Sequence, residues 1–335
     1  MSDHESLPPP PSVGAVQERC YRHPAEITGV HCTRCGRPIC PACMIPAPVG
    51  HQCPECVGQA RKEFAKGPGR RMAVGAAKRK VASLTNVLLG TLAAVYLVEV
   101  AVAGPGGLVS GPSTRDLVRL GAMVGVADLG PKIGLVGVAL GQYWRLFTAM
   151  FLHAGIFHLA MNAYALWIFG KILEEEIGRG RMLAIYLVTG LCASAASYAF
   201  MPAAGVVGGI PIFPPGVGAS GAIFGLFGAF VAYNYRRREM RFYRARLMSL
   251  LPIVVINVVL SLSIPNIDWR AHVGGLIAGF LAGYAAEGVG GDRATKRASS
   301  IVGFALLLVA AVALVAWRTN AIHTLYPQVA SAAGS

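Results

Sequence analysis

Seven apolar stretches, each long enough or nearly long enough to cross a bilayer, punctuate this chain. They run from about Leu84 to Ala103, Phe157 to Leu173, Met182 to Met201, Val217 to Tyr235, Leu247 to Ile264, Trp269 to Ala286 and Ser300 to Trp317. A backbone surrounded by hydrocarbon must satisfy its own N–H and C=O groups, so each stretch is expected to be a helix. Composition agrees: 54% of the 335 residues are hydrophobic and only 14% are charged. The mean hydropathy of +0.54 is too high for an ordinary soluble domain of this length.

The formal charge of +14 would suit a nucleic-acid partner if it lay on one amphipathic face. Instead the Lys and Arg residues stand in short clusters beside the apolar runs, which speaks for membrane topology and against nucleic acid. Lys171, Arg179 and Arg181 follow the second run, Arg236, Arg237, Arg238, Arg241, Arg244 and Arg246 the fourth, and Arg293, Lys296 and Arg297 the sixth. With a cytoplasmic amino terminus all three basic loops fall inside, and the uncharged loop from Pro202 to Gly216 falls outside. The expected protein is integral to a bacterial-type cell membrane, with its carboxy terminus extracytoplasmic.

Ahead of the spans, residues 1–17 carry four consecutive prolines, Pro8 to Pro11, and read as a disordered tail. A basic linker over 61–83, with Arg61, Lys62, Lys66, Arg70, Arg71, Lys78, Arg79 and Lys80, is expected against the anionic cytoplasmic leaflet of the lipid bilayer. The long connection from Gly104 to about Ile156 is too long for a turn and is expected to hold short helices in the outer interface.

In this topology spans two, four and six all run from outside to inside. Each carries polar residues near its outer end: His158 and Asn162, Ser220, and His272. A serine hydroxyl is a poor nucleophile until a base accepts its proton, and the resulting imidazolium can then protonate a leaving amine. Gly218, Gly221, Gly225 and Gly228 around Ser220, and Gly275, Gly279 and Gly283 after His272, form small-residue faces that let two helices approach closely. Packed together they would bring Ser220 Oγ within reach of His272. The start of a helix adds backbone N–H groups that suit a developing oxyanion. Asp268, one turn before His272, fits a helix cap better than a third catalytic member. Glu99, near the outer end of span one, is expected to reach water, and Cys192 in span three to be a small buried residue.

Trp144-Arg145, His153-x4-His158-x3-Asn162, Gly218-Ala-Ser220-Gly and Ala271-His272-x-Gly-Gly together resemble the motif set of rhomboid intramembrane serine proteases, over about Gly141 to Glu287. The resemblance implies an all-α polytopic membrane protein, with a six-helix core over 84–287. A basic loop, a seventh helix and a short tail over 288–335 extend it. It further implies Ser220 as nucleophile and His272 as base, with the Ser220 N–H, His158 and Asn162 stabilising the oxyanion. No cofactor is needed for that chemistry. Trp144, Arg145, His153, and Glu174 with Gly178 match structural positions of the family. Substrates would be transmembrane proteins whose helix ends unwind easily. The alternatives are a catalytically silent relative that binds transmembrane segments, and a solute transporter. The latter would call for midplane polar residues and internal repeats, and none is found.

Residues 18–60 hold seven of the eight cysteines, in the pairs Cys20-x2-His23, Cys32-x2-Cys35, Cys40-x2-Cys43 and Cys53-x2-Cys56. With no signal-peptide pattern before them they are expected in a reducing cytosol. Eight ligands suit two tetrahedral zinc ions, and so short a segment needs metal to fold. The spacing resembles B-box-type zinc fingers, which implies interleaved pairing; sequential pairing is the alternative, with His31 and His51 as spare ligands. Such a module serves either as a docking surface for a cytosolic protein or as a folded anchor.

Overall fold

The computed structural model describes residues 18–66, 83–104, 106–263 and 267–334. The tail at 1–17 and most of the basic linker, residues 67–82, lie outside the described residues. The chain divides into two compact units, Met1–Val81 and Ala82–Ser335.

The smaller unit is built on loops. Among the described residues its regular elements are a 3-10 turn (Pro41–Cys43), a two-residue hairpin, β1 (Ile45–Pro46) with β2 (His51–Gln52), and one α-helix, α1 (Pro54–Lys66). Its core is almost entirely sulfur: Cys20, Cys32, Cys40, Cys43, Cys53 and Cys56 are buried around Ile39, with Tyr21 and Met44 packed alongside. One buried isoleucine cannot repay the ordering of some forty residues, so another source of stability is required.

The larger unit is a helical bundle, and the charged and polar bonds at its two ends fix the direction of each helix. The first span, α2 (Leu84–Ala103), starts against the end of α6 (Ile156–Ile177). There Glu174 accepts from Ser83 Oγ at 2.6 Å, from the N–H groups of Leu84 and Thr85, and from Thr85 Oγ1 at 2.8 Å. A carboxylate at the first turn satisfies N–H groups that have no partner within the helix and faces the favourable end of its dipole. The two helices are therefore antiparallel.

After α7 (Arg179–Phe200) come α8 (Ser220–Tyr235), α9 (Arg241–Ser263), α10 (Trp269–Glu287) and the 33-residue α11 (Arg293–Leu325), closed by α12 (Pro327–Ala333). Tyr233 at the end of α8 donates to Glu176 at the end of α6. Arg236 and Arg237 pair with Glu287 at the end of α10, and Arg246 of α9 with Glu176. Helices α6, α8 and α10 thus end together, at the arginine-rich end of the bundle. At the opposite end Tyr198 of α7 meets Thr319 of α11 at 2.8 Å, and His323 donates to the Ala139 carbonyl at 2.7 Å.

All seven expected spans are helices, but among the described residues four of them, α2, α6, α7 and α11, are long and apolar enough to cross a membrane on their own. Helices α8, α9 and α10 fall outside that set, and for the central pair, α8 and α10, the reason is physical. Helix α8 has 16 residues, about 24 Å against a hydrocarbon core of about 30 Å. It is enclosed by α6, α7, α9 and α10, and α10 is rich in Gly and Ala. A sheathed helix does not meet lipid and needs less length and hydropathy of its own.

The α8–α10 contact is made by backbone. A Cβ built on Gly279 would lie 2.0 Å from the Gly225 carbonyl oxygen, and one on Gly275 2.1 Å from that of Gly221. Neither obstacle is a side chain that can swing aside. Gly279→Val is expected to destabilise the bundle by about 3 kcal/mol, the upper range for overpacking, read as a lower thermal midpoint in detergent. An unchanged midpoint would show that the helices separate easily.

The connection between α2 and α6 holds the expected short helices, α3 (Gly107–Ser110), α4 (Thr114–Leu120) and α5 (Arg145–Thr148). It also holds a two-residue hairpin of β3 (Ala127–Asp128) and β4 (Leu135–Val136), which the sequence reading did not foresee. A second hairpin, β5 (Gly205–Val207) with β6 (Ile210–Ile212), turns the loop after α7. Arg145 pins the long connection from within. It is buried, and its guanidinium donates to the Val118 carbonyl at 2.6 Å, the Ala122 carbonyl at 3.1 Å and Gln142 Oε1 at 2.6 Å. Half-exposed Trp144 lies against the same guanidinium.

Candidate active site and metal-binding clusters

Ser220 is the first residue of α8. The segment leading into it is held by Gly218, whose φ of +125° suits glycine and whose N–H donates to the Ala149 carbonyl at 2.9 Å. A side chain at Gly218 would also strike His158, since a Cβ there would sit 2.8 Å from the imidazole Cε1 and Nε2. The same point lies 3.5 Å from Ser220 Oγ, so the glycine is what lets imidazole and hydroxyl face one small space.

His272 stands one turn into α10. Its ring stacks on Phe224, with centroids 4.3 Å apart and planes 13° from parallel. Phe224 is four residues after Ser220, hence on the same face of α8. The glycine contact between the two helices and this stack set the first turn of α10 against the face of α8 that carries Ser220. Within the described residues, Ser220 and His272 form no hydrogen bond; His272 Nδ1 lies instead 2.7 Å from Ser261 Oγ of α9. Catalytic contacts of this kind are commonly long without substrate. The sequence reading missed both Phe224 and Ser261. The signal for the first was its i+4 spacing from Ser220, and for the second a hydroxyl at the carboxy-terminal end of span five.

His158 and Asn162 share one face of α6. The Ala154 N–H donates to His158 Nδ1 at 3.3 Å, which leaves Nε2 to carry the proton and point toward Gly218. Asn162 is buried, and its Nδ2 has no hydrogen-bond partner. An unsatisfied buried amide is costly, which marks it as a donor without its acceptor.

His153 lies behind this pair, fully buried, its ring edge-on to His158 at 5.2 Å. Burial, and then the neighbouring His158, push its pKa down to about 3, so the ring is neutral at physiological pH. Nδ1 faces the Phe151 carbonyl at 3.1 Å and so carries the proton. Glu99 corrects the expectation of a solvated carboxylate: it is fully buried and accepts the His153 backbone N–H at 2.9 Å. The face of α2 on which it lies turns toward the long connection, where protein replaces water. Asp268 caps α10, accepting from the Ala271 N–H, and its other oxygen takes the Ser197 hydroxyl. It does not reach His272 as a third member. Cys192 is buried, as expected.

In the smaller unit the ligand atoms converge as two groups, Cys20, His23, Cys40 and Cys43, and Cys32, Cys35, Cys53 and Cys56, with all atoms of a group within 4.8 Å of one another. The pairing is interleaved, which sets aside the sequential alternative. His31 pairs with Glu18, and His51 belongs to neither group. His23 Nδ1 is 3.2 Å from Cys40 Sγ and 3.4 Å from Cys43 Sγ, and Cys35 Sγ is 3.8 Å from Cys53 Sγ. Sulfurs of a disulfide stand about 2.05 Å apart, whereas two thiolates on a tetrahedral ion with bonds of about 2.3 Å stand about 3.8 Å apart. Both groups could hold a metal ion. Burial, then neighbouring thiols, push Cys43 up to about 11 and Cys56 up to about 12. Against burial, backbone N–H donors hold Cys20 and Cys32 down to about 6.

Residues 140–287, from the end of the long connection through α10, match the family model of the rhomboid domain. The chain is 39% identical over 175 residues to rhomboid protease GluP of Bacillus subtilis, covering 52% of this chain and 32% of GluP. It is 38% identical over 177 residues to RHOMBOID-like protein 6, mitochondrial, of Arabidopsis thaliana, covering half of that protein. The match to putative rhomboid protease YdcA of Bacillus subtilis is 35% over 149 residues and covers 70% of that protein. The chain thus spans a third to a half of the length of the first two relatives, and most of the third. A helical bundle of apolar spans, a matched domain that contains Ser220 and His272, and a relative covered over most of its length together establish an integral membrane protein, and this chain belongs to the rhomboid family.

Proposed function

We propose that this protein is an intramembrane serine endopeptidase that cleaves transmembrane proteins near the extracytoplasmic face. The observation that carries this reading is the His272 imidazole stacked on Phe224, one turn from Ser220, across a contact of bare backbone. In the proposed cycle Ser220 Oγ attacks the scissile carbonyl carbon and its proton passes to His272 Nε2. The tetrahedral oxyanion is met by the Ser220 N–H, His158 Nε2–H and the unpartnered Asn162 amide. Collapse expels the leaving amine, which takes the proton from the imidazolium. Water then enters, gives a proton to His272 and hydrolyses the acyl-serine by the same steps in reverse.

The orientation follows from charge: the arginine-rich end of the bundle lies in the cytoplasm and the site opens to the opposite side. The two thiol-rich groups are read as structural zinc sites, the ion that suits closed tetrahedral sets of three or four thiolates. As the module carries no open ligand position in this reading, a metal has no part in cleavage.

The test is cleavage of a reporter with a glycine-containing transmembrane segment by the purified protein in liposomes, with fluorophosphonate labelling alongside. Cleavage together with label on Ser220 supports the reading. Neither cleavage nor label across several reporters would favour a silent binder of transmembrane segments. Asn162→Ala is expected to lower kcat about 10²-fold with little change in KM, the usual loss for one oxyanion donor. Loss through KM alone would make Asn162 a substrate-binding group instead.

A further inference from the structure

The proposed cycle leaves one contact of His272 unexplained. Its Nδ1 lies 2.7 Å from Ser261 Oγ, on a different helix and eleven residues earlier in the chain. Ser261 is 5% exposed and His272 partly buried, so the contact is largely shielded from the surface. The other groups around the ring leave Nδ1 to the serine. Phe224 covers a ring face, and Asp268, one turn earlier in α10, is taken up by the helix cap and Ser197.

Resting on the Ser220–His272 reading, we propose that Ser261 is a positioning residue that fixes the tautomer of His272. A neutral imidazole has one N–H, and only the tautomer protonated at Nδ1 has a lone pair at Nε2 for the serine proton. Ser261 Oγ accepts from Nδ1–H, selects that tautomer and holds the ring plane against rotation. When Nε2 takes the Ser220 proton, the same bond remains and receives part of the new positive charge. A neutral hydroxyl does this more weakly than the carboxylate of a three-residue site, so the expected effect is smaller than loss of a reacting group.

The experiment uses the full chain in detergent or liposomes with Ser261→Ala and Ser261→Thr. Steady-state cleavage of the reporter is expected to show kcat lowered about tenfold in Ser261→Ala with KM unchanged, and restored in Ser261→Thr, which keeps the hydroxyl. The second arm is 15N NMR of histidine-labelled protein, with the His272 signals assigned by their loss in His272→Ala. The parent is expected as the Nδ1-protonated tautomer and Ser261→Ala as a mixture of tautomers, a change that mere loss of stability would not produce. Unchanged kcat, or a parent protonated at Nε2, overturns the assignment. If instead Ser220→Ala or His272→Ala cleaves like the parent, the dyad reading fails, and the NMR arm still decides whether Ser261 sets the tautomer.

Discussion

Ser220→Ala and His272→Ala are each expected to lower kcat/KM by about 10⁴-fold or more, and the double variant little further, because the two residues act as one unit. The nucleophile without its base is an ordinary hydroxyl, and the base without its nucleophile has nothing to deprotonate. Both variants should retain the parent's thermal midpoint. Ser220 stands at a helix start whose N-cap is Ala219, and His272 is held mainly by a stack and one hydrogen bond. Purified variants in liposomes with a common reporter give the measurement. Losses that multiply in the double variant would mean two independent roles, and cleavage by either variant at the parental rate would sink the dyad.

Removing metal from the amino-terminal module is the second large effect. Structural zinc contributes about 10–16 kcal/mol of apparent binding free energy in small finger domains, far more than the single buried isoleucine of this unit can supply. A strong chelator is expected to convert residues 18–66 from protease-resistant to rapidly cleaved, while the bundle stays resistant. Metal analysis should return two zinc ions per chain. The interleaving adds a specific expectation: Cys40→Ser, in the first group, should loosen the second group too, since the segment between Cys32 and Cys35 lies between the first group's ligands in sequence. Resistance that survives complete metal removal would overturn the zinc assignment.

The helices were legible in the sequence because hydrocarbon leaves a backbone few choices, and the serine and histidines because polar groups are rare in such runs. Which face of a helix a polar group takes was not legible. Glu99 was expected in water by its nearness to the span's end, yet the packing of α2 buries it against His153. Ser261 escaped for a related reason: its closeness to His272 depends on how two helices cross, and residue spacing carries no such information. The metal pairing was open because four equal knuckles can be joined in more than one way, and only the chain path selects one. The two hairpins of the larger unit are strands of two or three residues, too short for alternation to register.

The glycine seam between α8 and α10 also restricts where the protein can move. Side chains can change rotamer and let helices slide, but carbonyl oxygens set against bare Cα atoms have no adjustable part. On the proposed function, the two helices that carry Ser220 and His272 are expected to move together, and admitting a bulky segment would fall to other elements. Helix α9 is suited to that, since Val255, Ile256, Val259 and Leu262 face outward and meet only whatever surrounds the bundle. Its displacement would carry Ser261 away from His272. The opening that lets a substrate in would thereby also free the imidazole, and the ring would be set for reaction only when the helix returns.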